Sequence, residues 1–102
     1  MLDLLATAMK LHPVEATVES YVDSEPLPAA LRKSWPSPWE WTAARAVAVT
    51  RELVERFGVP PGRVLAAGRG DSHPISPSDT PEGRAQNRRV VVVLRPIEAS
   101  GG

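Results

Sequence analysis

The sequence predicts an α/β fold in which two main helices pack on one face of a small mixed sheet. Residues 14–22 alternate apolar and polar side chains, as a strand with one buried face does. Apolar residues recur at helical spacing over residues 2–11 and again over 38–57. Residues 89–94, RVVVVL, are apolar at successive positions, which predicts a central strand.

The N-terminal part predicts a helix followed by a strand. Pro13 ends the helix, because a residue that precedes proline avoids the helical region. The strand places Val14, Ala16 and Val18 on one face and stops near Asp23. An aspartate at a strand end is usually a turn former, so local chemistry alone makes Asp23 a turn residue.

A proline-rich loop follows over residues 24–38, with prolines at 26, 28, 36 and 38. Compact domains seldom contain a loop of this length unless it has a function.

The second helix has a clear start and stop. Ser37-Pro38-Trp39-Glu40 is typical of a capping box with proline at the first helical position, and Thr42 is an alternative cap. Gly58 ends the helix. Its predicted apolar stripe comprises Ala43, Ala46, Val47, Thr50, Leu53, Val54 and Phe57.

The rest of the chain predicts a short buried strand over residues 64–68, a loop over 69–79 and a helical turn capped by Thr80. We expect one domain over residues 1–102, with its core in 14–95 and a flexible tail over 96–102.

Composition excludes several classes of function. Twelve basic residues balance twelve acidic ones, so no net charge attracts nucleic acid. There is no cysteine, which fits the cytosol and the bacterial periplasm equally. No residue spacing indicates a metal site, a cofactor loop or a catalytic triad; Asp71, Ser72 and His73 are consecutive and cannot converge as a triad must. We therefore expect no cofactor and no enzymatic activity.

Two features leave alternatives open. Trp35, Trp39 and Trp41 either pack the loop and the helix start onto the core or stack on a sugar, and packing is the more common role. Arg45 lies beside the apolar stripe of the second helix. It is either a snorkelling or ion-paired arginine or a ligand-binding one.

The chain resembles the C-terminal domain of the OmpA/MotB family in three successive segments, PSPWEWTAARA, GVPPGRVLAAGRGDSHP and TPEGRAQNRRVVVVL. The family pattern is a strand ending in GHTD, then N-x-x-L-S-x-x-R-A, a Gly-x-Gly-x-x-x-P segment and N-R-R-V. The likeness covers residues 14–95, and its PSxWE and TPEGRA stretches look most like the flagellar stator members.

The resemblance implies a βαβαβ two-layer sandwich, here without its first strand, that binds peptidoglycan through the diaminopimelate of the stem peptide. By position, the aspartate and the arginine that bind this residue are Asp23 and Arg45, and Asn87 and Arg88 border the site. The implied location is the periplasm or cell envelope, with membrane attachment through a segment outside this chain. The implied role is to anchor an envelope or flagellar-motor protein.

The sequence also departs from the family pattern. Ser20-Tyr21-Val22 replaces GHT, Pro38 replaces the asparagine, Trp41 the leucine and Thr42 the serine. The altered GHT and the missing first strand indicate an alternative function: a scaffold domain that mediates protein contacts or forms a homodimer through an open sheet edge.

Overall fold

The computed structural model describes residues 1–97 and confirms the mixed α/β fold. Its elements are α1 (Leu2–Leu11), β1 (Val14–Tyr21), α2 (Ala29–Arg32), α3 (Pro38–Arg51), β2 (Val64–Gly68), α4 (Pro81–Asn87) and β3 (Arg89–Pro96). A π-helical turn, Glu52–Arg56, continues α3, and a 3-10 turn, Pro61–Arg63, precedes β2. No helix among these residues is both long and apolar enough to cross a membrane.

Strand β1 lies at the centre of the three described strands, parallel to β2 and antiparallel to β3. The prediction that β3 is central was wrong, and so was the prediction that β2 is buried. Leu65 of β2 is 59% exposed and Leu94 of β3 is 44% exposed. A run of valines reports strand propensity as well as burial, and here it belongs to an edge strand.

The hydrophobic core lies between the sheet and the helices α1 and α3. Its fully buried members are Ala6, Met9, Ala16, Val18, Ala46, Leu53 and Val59. The alternation predicted for β1 is confirmed, since Ala16 and Val18 face the helices. The core also includes two residues of α1, so it begins before the predicted range of 14–95.

Helix α3 begins as predicted, because Ser37 and Glu40 form the capping box. Its buried stripe is offset from the prediction: Thr42 is buried, whereas Val47 is 46% exposed. Helix α3 also lies close against β2. A Cβ at position 68 would come within 2.5 Å of the Ala43 nitrogen, so Gly68 permits this approach.

Strand pairing continues beyond residue 95, where the predicted core ends. Pro96 pairs with Val14, and the Ile97 amide donates to the Pro13 carbonyl at 2.8 Å. The tail expected over 96–102 therefore does not include these two residues, because they complete the pairing of β3 with β1. Residues 98–102 lie outside the described range.

Candidate functional site

A cavity of about 400 Å³ opens where β1 ends, between the proline-rich segment and helix α3. Its lining combines charged and apolar side chains: Val22, Asp23, Glu25, Pro26, Leu27, Pro28, Leu31, Trp41, Arg45 and Arg88. Three of the four site residues expected from the sequence, Asp23, Arg45 and Arg88, therefore meet in one cavity.

Asp23 is both a turn residue and a wall of the cavity. Its side chain is 7% exposed, and Oδ1 accepts the Glu25 amide at 3.0 Å. The other oxygen, Oδ2, accepts a hydrogen bond from the Arg88 guanidinium. Because a carboxylate offers about four lone-pair sites, Asp23 retains acceptor capacity toward a ligand.

Sheet topology brings Arg88 to Asp23. The antiparallel pairing of β1 with β3 places Tyr21 opposite Arg89, so the residues just beyond this pair meet at the same end of the sheet. Arg88 keeps half of its side chain exposed while it pairs with the nearly buried aspartate.

Arg45 projects from α3 into the cavity as a half-buried cation. No acidic side chain within residues 1–97 lies at ion-pair distance from it. Burial lowers the pKa of the Arg45 guanidinium, because removal from water disfavours its charged form. A carboxylate that binds in bidentate fashion would compensate this charge. The ion-pair alternative for Arg45 therefore has no partner in the described part of the chain.

Asn87 does not line the cavity. It is buried at the end of α4, where its Oδ1 accepts the amides of Ile75 and Ser76 at 2.8 and 3.0 Å. Its Nδ2 donates to the Ser76 carbonyl at 3.1 Å. Asn87 thus fastens the loop before α4, and its neighbour Arg88 is the one that reaches Asp23.

The residues that replace the family's GHT take up different positions. Val22 lines the cavity and its amide donates to the Gly70 carbonyl at 2.9 Å. Tyr21 contacts the other side of the sheet, where its hydroxyl donates to Glu19 at 3.1 Å and Arg89 lies 3.8 Å from its ring centre. Thr42 keeps the hydroxyl of the family serine and accepts the Gly70 amide at 3.0 Å.

The tryptophans divide between packing and the cavity. Trp35 and Trp41 meet edge to face, with ring centroids 5.0 Å apart, and Trp41 also lines the cavity. Trp39 is 53% exposed and covers the backbone at Gly70. Packing was the favoured prediction, and the place of Trp41 in the cavity wall was not foreseen.

The proline-rich segment is held in place by several contacts. Glu25 lies 3.6 Å from Arg84, and Arg32 donates to the Leu27 carbonyl at 2.8 Å. Helix α2 forms within this segment, where the sequence predicts a loop. A propensity signal was present in Ala29-Ala30-Leu31, but four residues are too few for a periodic pattern.

Sequence comparison places the chain among known proteins. The OmpA family model matches residues 1–88. Outer membrane porin F of Pseudomonas aeruginosa is 42% identical over 87 residues, which is 84% of this chain and 23% of the porin. The peptidoglycan-binding protein ArfA of Mycobacterium bovis is 45% identical over 53 residues, 52% of this chain and 16% of that protein. The chain thus spans well under half of these relatives.

Solved structures share the fold. The C-terminal domain of Helicobacter pylori MotB has a TM-score of 0.81 at 27% identity, covering 95% of this chain and 70% of that one. The cell wall anchor of the T6SS from Pseudomonas aeruginosa has a TM-score of 0.78 at 32% identity, covering 95% and 64%.

Proposed function

The chain belongs to the OmpA family, and from this membership we propose that it binds peptidoglycan non-covalently and without catalysis. One relative is named as a peptidoglycan-binding protein, and one similar structure is a cell wall anchor. In this proposal the domain lies in the periplasm and anchors an envelope or flagellar-motor protein to the cell wall. Membrane attachment would come from a segment outside these 102 residues.

We propose that the part recognised is the free amino-acid end of diaminopimelate, which carries an ammonium and a carboxylate on one carbon. The observation that carries this proposal is the half-buried Arg45, which has no acidic partner within residues 1–97 and shares a cavity with Asp23. The guanidinium binds the carboxylate through two hydrogen bonds, and the Asp23 carboxylate accepts from the ammonium.

Arg88 has a supporting part in this proposal. Its bond to Oδ2 fixes the Asp23 carboxylate, while its half-exposed position leaves other N–H groups available to the ligand. Asn87 acts one step further away, by holding the loop that precedes α4.

Sedimentation with purified sacculi of the diaminopimelate type tests the proposal. The wild-type domain should pellet with them, and Asp23→Ala and Arg45→Ala should stay largely in the supernatant. Arg51→Ala is a matched control, because Arg51 lies on the same helix with an exposed side chain. Equal pelleting of all four proteins would refute the assignment of the site.

The exposed edge strand favours a second candidate function, namely protein contacts or homodimer formation. Val90, Val93 and Leu94 of β3 are 36%, 37% and 44% exposed at one edge of the described sheet. Unpaired strand edges can pair with another chain. Light scattering after size-exclusion chromatography discriminates between the candidates: a monomer that pellets with sacculi supports the first, and a dimer that does not pellet supports the second.

A further inference from the structure

Part of the cavity lining is apolar, in contrast to its charged residues. Leu27 is buried, and Leu31 and Trp41 are half-buried; these three residues form what is called here the apolar wall. They come from the proline-rich segment, from α2 and from α3, and all three line the same cavity as Asp23 and Arg45.

We propose that the apolar wall makes the site selective for an amino-acid group at the end of an aliphatic chain of several methylenes. This inference rests on the proposed function, because it assumes that the zwitterion binds at Asp23 and Arg45. It makes Trp41, which stands where the family pattern has leucine, a residue that determines specificity.

The need for such selectivity follows from the chemistry of the charged residues. An ammonium and a carboxylate on one carbon are common to every free amino acid, so Asp23 and Arg45 alone cannot separate glycine from a longer ligand. Each methylene that leaves water for an apolar surface contributes about 0.8 kcal/mol. A wall that covers several methylenes therefore discriminates by chain length.

The wall is fixed before any ligand arrives. Trp35 packs edge to face on Trp41 at 5.0 Å, and Arg32 donates to the Leu27 carbonyl at 2.8 Å. Pro26 and Pro28 flank Leu27 and restrict its backbone. A surface that is already ordered loses little conformational entropy on binding, so methylene burial appears in the affinity.

Trp41 also lies one helical turn before Arg45 on α3. Residues four apart on a helix are neighbours on one face, so the arginine that binds the carboxylate and the ring that covers the adjoining chain belong to one rigid element. Arg45 and Trp41 then contact the carboxylate and the first methylenes of a ligand at the same time.

A titration series tests this inference. The probes are glycine and both enantiomers of 2-aminobutanoate, 2-aminopentanoate and 2-aminohexanoate, and binding is followed by NMR shifts of backbone amides. For the wild type we expect the dissociation constant to fall about fourfold per methylene. Trp41→Ala should lose most of this gain, so that its dissociation constants change little from glycine to 2-aminohexanoate.

Control variants separate a specific wall from general damage. Trp39→Ala removes an exposed tryptophan of the same helix that does not line the cavity, and it should keep the wild-type slope. Leu31→Ala removes a second residue of the apolar wall, from the short helix α2, and should also reduce the gain in affinity per methylene. It tests the wall if Trp41→Ala fails to fold. Thermal unfolding of every variant identifies those that are folded.

The outcomes distinguish the inference from the proposed function. If wild-type protein pellets with sacculi but binds all four amino acids equally, the inference is wrong and the proposed function stands. The inference is also wrong if folded Trp41→Ala and Leu31→Ala retain the full slope. If the wild type binds neither sacculi nor any of the four amino acids, the inference and the proposed function are both wrong.

Discussion

Arg88 donates a hydrogen bond to Asp23 across 65 positions of the chain. This pair joins the end of β1 to the start of β3 at the wall of the cavity. Among the charged residues of the cavity lining, Asp23 pairs with Arg88 and Glu25 lies 3.6 Å from Arg84, which leaves Arg45 as the basic residue without an acidic partner within residues 1–97. Arg45 is therefore suited to bind a carboxylate, and the free acceptor positions of Asp23 are suited to bind an ammonium.

The Asp23–Arg88 pair should contribute to stability in a way that a double-mutant cycle can measure. Asp23→Ala, Arg88→Ala and the double variant should give a coupling free energy of about 1 kcal/mol in urea unfolding. The value is modest because half of the Arg88 side chain remains in water. If the effects of the two single substitutions on the free energy of unfolding are additive, the predicted coupling between Asp23 and Arg88 is wrong.

Glu19 and Arg69 should make stability depend on pH. The hydrogen bond from Arg69, at 2.6 Å, is the largest cause that lowers the pKa of Glu19 in the folded state. A lowered pKa stabilises the fold above the unfolded-state value of about 4.3, and the contribution is lost as pH falls through the lower folded-state value.

Arg69→Gln should therefore lower the free energy of unfolding at pH 7 and have little effect near pH 2, because the stabilisation is lost once Glu19 is protonated. Urea unfolding of both proteins from pH 7 to pH 2 measures the difference. A constant difference over this range would show that the ion pair does not account for it.

Local patterns predicted much of this fold, because the interactions concerned are close in sequence. The alternation of β1 and the capping box of α3 lie within a few residues, and both are present. The exposure of β2 and β3 could not be predicted in this way, because a strand's place in the sheet depends on which strands pair.

The site shows the same division. Position within the family pattern indicated Asp23 and Arg45, and both line the cavity. The pairing of Arg88 with Asp23 depends on the order of the strands, and the separation of Asn87 from the cavity depends on how α4 meets its loop. Leu31, which lines the cavity together with Trp41, lies on α2, and this helix is too short to leave a periodic signal.

Gly68→Ala should destabilise the domain through helix α3. The new methyl carbon would lie 2.5 Å from the Ala43 nitrogen, so the helix or the strand must shift, at a cost of about 1–3 kcal/mol. Gly62→Ala is a matched control, because nothing lies within 4 Å of a Cβ there. Equal urea midpoints for the two variants would contradict the close approach of α3 to β2.

Asn87→Ala should affect stability more than binding. It removes the acceptor of two part-buried hydrogen bonds, from the amides of Ile75 and Ser76, which costs about 0.5–1.5 kcal/mol for each bond. The fraction that remains folded should still pellet with sacculi, whereas Arg45→Ala should remain stable and fail to pellet. A stable Asn87→Ala domain that no longer pellets would instead indicate direct ligand contact by Asn87.

The central claim is that Arg45 binds the carboxylate at the free amino-acid end of the ligand. Calorimetric titration with two stem tripeptides, one ending in diaminopimelate and the other in lysine, tests it most directly. The lysine peptide has the ammonium but lacks the carboxylate beside it. We predict that the wild type and Arg51→Ala prefer the diaminopimelate peptide by about tenfold or more, and that Arg45→Ala has no preference. Equal affinity of the wild type for both peptides, or an unchanged preference in Arg45→Ala, would contradict the claim.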